Sequence, residues 1–263
     1  MKKNTLKSLL VIGTVFVMTG CGGGSSPVSD VSMDLGDPLV ESAVETLTDG
    51  NDLASELPTD VSDAIDAPAS ILSEDLKDSI TFMYNEESLA YDVYMNIYKI
   101  QAVQQLQKIA ENSETKHIQA VDELAVKYDL NMTTYDPTLE PYDKEGIGNG
   151  KYSVQHIQDL YDALYDKGIK SKKDALEVGC MVEVVDVDDL EKYIALATES
   201  NATDVLGVFT FLINGSYNHY WSFNDALKKL NDPIGLDERA GCCSVVDEFY
   251  LGYDFCQLDY PKK

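Results

Sequence analysis

Apolar residues recur at intervals of three and four positions in four long segments between about residue 73 and residue 230. This spacing places the apolar side chains on one face of an α-helix. Turn residues separate the segments, and no run of alternating strand residues competes with them. The pattern predicts an all-α four-helix bundle, with long helices over 74–99, 102–129, 172–198 and 203–230 and a shorter extra helix near 153–167.

Capping and loop residues support these boundaries. Ser73 precedes Glu74, and Ser171 stands three residues before Asp174, so each serine is expected to begin a helix. The stretch 130–151 contains two prolines and three glycines. It therefore predicts a long connection that crosses from one end of the bundle to the other, between the second and third long helices.

The N-terminus has the pattern of a secretory signal. Three lysines precede the apolar run 9–18, which is too short to span a bilayer. The run ends in Met18-Thr19-Gly20-Cys21, which resembles the lipobox of bacterial lipoproteins. The resemblance implies that residues 1–20 are a lipoprotein signal peptide and that Cys21 is lipidated. We expect the protein in the cell envelope, on the outer membrane if the source has two membranes and otherwise on the outer face of the cytoplasmic membrane.

Residues 21–72 separate Cys21 from the helical part of the chain. They are rich in Gly, Ser and Pro, and they contain 11 acidic residues from Asp30 to Asp66 without any lysine or arginine in that stretch. Such a composition does not bury enough apolar surface to fold. The sequence therefore predicts an acidic disordered tether ahead of a folded domain over 73–230.

The C-terminal tail, 231–263, is unusual for its cysteines. Apart from Cys21, the chain has Cys180, Cys242, Cys243 and Cys256. An even number of cysteines in an oxidising compartment permits two disulfides, with three possible connectivities. We expect the tail to fold back and to be joined to the bundle through Cys180.

The charge of the chain excludes some functions. Lys and Arg total 20 against 46 Asp and Glu, which gives a net charge of -26. Such a protein repels phosphate backbones, so nucleic acid is not an expected partner. Arg239 is the single arginine in the sequence, so an arginine-lined phosphate site and phosphoryl transfer are also disfavoured.

Polar residues interrupt every apolar stripe in the middle of its helix. An unpaired buried carboxylate is strongly unfavourable, so several carboxylates directed at one core require a shared positive charge. Inward-facing Glu and Glu-x-x-His groups from four helices form dinuclear iron or manganese sites. The pattern favours such a site, and the alternative is a core that uses these groups structurally. The interrupting residues are Glu87, Glu114, His117, Glu183, Asp186 and His219.

The chain contains several distinctive blocks, at 85–94, 109–117, 175–179, 182–190 and 214–219. Together these blocks resemble a known family, DUF2202, a bacterial and archaeal branch of the ferritin-like superfamily. The similarity covers about 73–230. It implies a ferritin-like four-helix bundle with a dinuclear metal centre. In a centre of two iron or manganese ions, we expect Glu183 or another carboxylate to bridge the ions and His117 and His219 to bind one ion each.

The chain departs from the expected ligand pattern on its fourth helix. A complete Glu-x-x-His pair would need glutamate at position 216, but this chain has Ser216. Asp186, one turn beyond Glu183, is expected to replace the missing glutamate. Ferritin-like peroxidases of the rubrerythrin kind are similar in having a second acid one turn from the glutamate of the third helix. Tyr94 and Ser216 are expected next to the ligands, although Tyr94 is alternatively a core aromatic residue.

The sequence leaves the roles of two further residues open. The apolar stripe favours Glu87 over its neighbour Glu86 as a ligand, without deciding between them. His156 has no acid at ligand spacing, so we expect a surface or packing role for it.

Two functions compete. The first is a lipid-anchored di-iron oxidoreductase that reduces peroxide or O2, or oxidises ferrous iron, with an unknown electron donor. The second is a non-enzymatic envelope protein, structural or interacting, whose bundle is metal-stiffened or metal-free. The oligomeric state is open, and a homodimer is one alternative.

Overall fold

The computed structural model describes residues 56–130, 150–152, 155–247, 249 and 252–262. Within these ranges the chain is helical and contains no β-strand. The predicted signal peptide, Cys21 and most of the tether lie outside the described residues. So do most of the connection 130–151 and the side chain of His156.

The long helices match the sequence prediction closely. The helices are α1 (Thr59–Asp66), α2 (Glu74–Gln101), α3 (Gln104–Ile109), α4 (Thr115–Lys127), α5 (Gln155–Gly168), α6 (Lys172–Glu199) and α7 (Thr203–Asn231). Ser73 and Ser171 begin α2 and α6 as predicted, since Ser73 Oγ accepts a hydrogen bond of 3.2 Å from the Leu76 amide and Ser171 Oγ one of 3.1 Å from the Asp174 amide. The predicted second helix is divided, because a π-helical segment, Ala110–Glu114, separates α3 from α4.

Four helices enclose the core. Helix α2 packs against α4 and α6, and α7 packs against the same two helices from the other side, so that the contacts close into a helical bundle. Helix α5 packs against α2 and α6. Among the helices in the described ranges, none is long and apolar enough to cross a membrane.

The apolar stripes form the core of this bundle. On α2, Ile80, Met83, Tyr94 and Ile97 are fully buried, as the three- and four-residue spacing predicts. Leu230, the last residue of the predicted helix 203–230 and an apolar position expected in its buried stripe, is 48% exposed. It lies in the last turn of the helix, where the chain leaves the bundle and the buried face ends.

The structure differs from the predicted tether over residues 56–72. Part of this stretch forms α1, which packs against α4 and α7. Leu57 and Val61 supply the apolar contacts and are buried. The approach is close, since a Cβ atom on Gly207 of α7 would lie 2.5 Å from the Cβ atom of Ala64. The folded domain therefore begins before α2, because even a strongly acidic segment folds when its few apolar residues meet a complementary helix face.

The tail is attached to the bundle by covalent and polar contacts. A Cys180–Cys242 disulfide joins the tail to α6, which confirms the predicted link through Cys180. A second disulfide, Cys243–Cys256, closes a loop within the tail. The Tyr220 hydroxyl on α7 also donates a hydrogen bond of 3.1 Å to the carbonyl of Phe255.

Candidate metal centre

The interior of the bundle contains a cluster of carboxylates and imidazoles. Five of the six predicted ligands meet there, and each of them is no more than 6% exposed. They come from the middle of α2, from the end of the π-helical segment and from α4, α6 and α7. The five are Glu87, Glu114, His117, Glu183 and His219.

One half of the cluster surrounds His117. Its Nδ1 atom lies 3.1 Å from Oε2 of Glu87 and 3.3 Å from Oε2 of Glu114. One potential ligand atom from each of these three residues lies within 4.8 Å of the other two. The three residues can therefore hold a metal ion between two carboxylates and an imidazole.

The other half surrounds His219 in the same manner. Its Nδ1 atom lies 3.1 Å from Oε1 of Glu114 and 3.4 Å from Oε2 of Glu183. These residues form a second group that can hold a metal ion. The His117 and His219 rings stack with their centroids 5.4 Å apart, so the two groups are adjacent.

Glu114 belongs to both groups. One of its carboxylate oxygens faces each histidine, whereas Glu87 and Glu183 contact one histidine each. The sequence predicts that Glu183 or another carboxylate bridges the two ions. In the structure, the carboxylate shared by the two groups is that of Glu114. It is the last residue of the π-helical segment, a helix type that often occurs at functional sites.

A glycine permits the helices to approach here. A Cβ atom on Gly215 of α7 would clash with Nε2 of His117. Because glycine lacks this atom, α7 packs directly against the His117 ring. We expect any larger residue at this position to displace the imidazole from Glu87 and Glu114.

Tyr94 contacts the cluster rather than only filling the core. Its hydroxyl donates a hydrogen bond of 2.5 Å to Oε1 of Glu183, and its ring packs 5.3 Å from that of Phe223. The tyrosine thus occupies one oxygen of Glu183 while the other oxygen faces His219.

Asp186 occupies a different position from the five central residues. It is buried and accepts a hydrogen bond from the Ser216 hydroxyl, but it belongs to neither ligand group. It lines a cavity of about 20 Å³ together with Glu87, Glu114 and Glu183. Glu86 also lines this cavity, but its hydrogen bond goes to Asp189, whereas Glu87 contacts His117.

Comparison with other proteins identifies the family. The family described as "Uncharacterized protein domain (DUF2202)" matches residues 76–232, more than half of the chain. The chain belongs to the DUF2202 family. The matched range contains all five residues of the cluster, so the cluster lies within the part of the chain that defines this DUF2202 domain.

A relative and a solved structure extend this comparison. The DUF2202 chain is 35% identical over 156 residues to "Uncharacterized protein MJ0754" of Methanocaldococcus jannaschii, covering 59% of this chain and 77% of the relative. It is also similar to the crystal structure of hypothetical protein MJ0754, with a TM-score of 0.54 and 36% identity over 62% of this chain and 85% of that one.

Burial and mutual contacts determine the protonation of the cluster. Burial raises the pKa of Glu87 and of Glu183, and it raises the pKa of Asp186 to about 7. Burial alone would lower the pKa of His219, but Glu183 and Glu114 raise it to about 10. Burial also opposes ionisation of Glu114, yet its contacts with both histidines hold the pKa of Glu114 below its usual range.

One atom indicates that a cation fits the site. Oε1 of Glu87 is buried, and no hydrogen-bond partner for it exists in the part of the chain that the structure describes. A buried carboxylate oxygen without a partner is costly, and a metal ion next to it supplies the missing contact. Carboxylate oxygens with one imidazole per group, and no thiolate, suit iron or manganese.

Proposed function

We propose that this DUF2202 protein is a lipid-anchored, ferritin-like protein of the cell envelope that binds two iron or manganese ions and reduces peroxide or O2 with electrons from ferrous iron. The observation that carries the proposal is the position of the Glu114 carboxylate between two buried histidines. Each histidine also contacts a carboxylate of its own, which resembles the arrangement of a dinuclear centre in a helical bundle, with Ser216 in place of one glutamate.

Each half of the cluster would hold one ion. His117 and Glu87 would bind the first, His219 and Glu183 the second, and Glu114 would be shared between them. Two ferrous ions would supply two electrons, which together with two protons reduce one hydrogen peroxide molecule to two water molecules.

The residues around the cluster would hold its ligands in a fixed orientation. Tyr94 fixes the orientation of Glu183 through its hydrogen bond, so that the second oxygen stays directed at His219. The low exposure of the five central residues keeps bulk water away from them. Both effects favour a pre-organised set of ligands over a mobile one.

The envelope location rests on the N-terminal sequence. Lysines, a short apolar run and Met18-Thr19-Gly20-Cys21 occur in the order that lipoprotein processing requires. Labelled palmitate added to growing cells should enter the wild-type protein but not Cys21→Ser, and only the wild type should sediment with membranes. A Cys21→Ser variant that still sediments, with no label in the wild type, would contradict the lipid anchor.

The metal proposal is tested by anaerobic loading. The purified full chain, in detergent, is stripped of metal, incubated with ferrous iron and analysed by elemental analysis and EPR. Mixing with hydrogen peroxide should then convert the ferrous sample to a ferric one, with one peroxide consumed for every two irons. Bound iron that peroxide does not oxidise would refute the redox role.

A non-enzymatic envelope protein is the competing function. It is favoured by the hydrogen bonds and ion pairs within the cluster, because protonated histidines can compensate the carboxylates without any ion. A chain that remains fully stable and takes up no iron or manganese in the loading experiment would support this second function.

A further inference from the structure

A small cavity opens next to the carboxylates of the cluster. It has a volume of about 20 Å³ and lies between α2, α5 and α6. This is room for about one water molecule or one metal ion. Its polar lining is acidic, while its apolar lining includes Leu160 and Leu164 of α5. The acidic lining residues are Glu86, Glu87, Glu114, Glu183 and Asp186.

Glu86, like Asp186, is an acidic residue of this lining that the five-residue cluster does not use. Its Oε2 atom is buried and has no hydrogen-bond partner among the residues that the structure describes. Its carboxyl group also shares a hydrogen bond with Asp189 of α6. Glu86 therefore connects the cavity with an acid outside it.

Helix α6 presents a row of side chains that runs from the core to the solvent. Glu183, Asp186, Asp189 and Lys192 follow one another at three-residue spacing, so each is a neighbour of the next. Each step also turns by about 60° around the helix axis, which carries the row from the core side of α6 to its solvent side. Exposure rises along the row, from 2% of Glu183 and 8% of Asp186 to 17% of the Asp189 side chain and 54% of the Lys192 side chain. Asp189 thus lies between the buried carboxylates and the solvent.

Lys192 occupies the outer end of the row. Its Nζ atom lies 2.6 Å from Asp188 and 2.8 Å from Asp189. These two carboxylates therefore already hold a cation at the surface, on a flexible and half-exposed side chain. A divalent ion that arrives there would compete with a single ammonium charge.

We propose that Glu86 and Asp189 form an uptake route, along which a divalent first-row metal ion passes from the surface into the carboxylate cavity. The route rests on the proposed metal centre and adds to it a path for loading. Asp188 and Asp189 would receive the ion as Lys192 leaves, and Glu86 would hold it next to the cavity. Glu87 and Glu114, which line the same cavity, would receive it from Glu86.

Loading kinetics separate a route from a binding site. The full chain, purified in detergent and stripped of metal, is mixed anaerobically with Co²⁺, and the rise of its visible absorption gives a rate and a final stoichiometry. Glu86→Gln and Asp189→Asn should each slow loading by at least about tenfold, because each removes a carboxyl group that can attract and bind the cation along a narrow acidic path. The final amount of cobalt bound should equal that of the wild type.

Lys192→Gln should have the opposite effect on the loading rate. Without the ammonium group, Asp188 and Asp189 are free to receive the ion, so loading should be faster than in the wild type. Glu123→Gln is the matched control, because Glu123 is an exposed acid on α4 whose hydrogen bond goes to Gln119. It should load at the wild-type rate.

The outcomes also distinguish the route from the centre. If Glu86→Gln and Asp189→Asn load at the wild-type rate, the uptake route is wrong while the centre stands. If Glu86→Gln lowers the amount of cobalt bound, Glu86 is a ligand and the route is again wrong. A wild-type chain that binds no cobalt, iron or manganese would overturn both proposals.

Discussion

The hydroxyl of Tyr94 donates a hydrogen bond of 2.5 Å to Oε1 of Glu183, across the buried interface of α2 and α6. Burial and the neighbouring Glu183 raise the pKa of Tyr94 well above its ordinary value, so the hydroxyl keeps its proton. It therefore acts as a permanent donor to one oxygen of Glu183 and leaves the other oxygen for His219.

Tyr94→Phe should weaken metal binding without removing a ligand. Loss of a hydrogen bond that orients a ligand typically costs about 10- to 100-fold in metal affinity. Competition with a chelator measures the dissociation constant. Tyr98→Phe, one turn later on the same helix, is the control, because Tyr98 contacts Gln104 instead of the cluster. Equal dissociation constants for Tyr94→Phe and the wild type would show that the hydrogen bond does not support the centre.

Asp186→Asn should stabilise the metal-stripped protein at neutral and alkaline pH. The ordinary pKa of this carboxyl is 3.8, and burial raises it to about 7 in the folded state. Between these values the folded state binds more protons than the unfolded state, so the free energy of unfolding of the wild type falls as pH rises from about 4 to about 7. Asparagine cannot ionise, and the variant avoids this loss.

Urea denaturation of the metal-stripped protein across this pH range measures the effect. The difference in the free energy of unfolding between Asp186→Asn and the wild type should approach a few kcal/mol, as an order of magnitude, above about pH 7 and shrink towards about pH 4. Glu123→Gln, which removes an exposed acid, should show no such trend. A difference that is constant with pH would mean that Asp186 is ionised throughout.

The two disulfides should differ in their contribution to stability. Cys180–Cys242 spans 62 residues of sequence and Cys243–Cys256 spans 13. Loop-closure entropy gives about 4 kcal/mol for the longer loop and about 3 kcal/mol for the shorter one. Replacing each pair by two serines, followed by urea denaturation, should therefore destabilise the Cys180–Cys242 variant more.

Peptide mapping without reductant checks the connectivity on protein from the native envelope. Recovery of Cys180 as a free thiol would contradict the link between α6 and the tail. A Cys180→Ser, Cys242→Ser protein as stable as the wild type would show that the polar contacts of the tail are sufficient on their own.

Asp204 should be essential for attaching the segment between α1 and α2. This buried residue at the start of α7 accepts a hydrogen bond of 2.6 Å from Ser70 Oγ and lies 2.7 Å from Nζ of Lys127. Asp204→Ala leaves Lys127 without its carboxylate partner, so we expect a loss of about 3 kcal/mol in the free energy of unfolding.

Ser70→Ala should lower the free energy of unfolding less than Asp204→Ala does. It removes one hydrogen bond and no charge, and should cost about 1 kcal/mol. Thermal and urea denaturation of both variants test whether Asp204→Ala is the less stable of the two. If the two variants are equally stable, the ion pair with Lys127 contributes nothing.

The periodicity of apolar residues predicts both the long helices and the central residues of the cluster. Glu87, Glu183 and His219 stand in the middle of apolar stripes, and the periodicity that predicts a helix also predicts which face is buried. A polar side chain at such a position therefore stands out from the spacing of its apolar neighbours alone. The burial of these residues confirms that part of the prediction.

Other features of the structure leave no comparable pattern in the sequence. Ala110, Glu114, His117 and Val121 are spaced as in an ordinary helix, so the π-helical segment between α3 and α4 is not visible in the spacing. Helix α1 has eight residues, too few for a clear period, and the surrounding acids conceal its contacts with α4 and α7. The partners of Glu86 and Asp204 depend on which helices meet, and the spacing within one helix carries no such information.

The most direct test of the metal centre is the metal content of the wild type and of the His117→Ala, His219→Ala double variant after anaerobic loading with ferrous iron. Circular dichroism establishes that both are folded, and His156→Ala is the matched histidine control. We predict about two ions per wild-type and control chain, because the cluster contains two ligand groups, and almost none in the double variant. A wild type that takes up no iron or manganese, or a double variant that takes up as much as the wild type, would contradict the account.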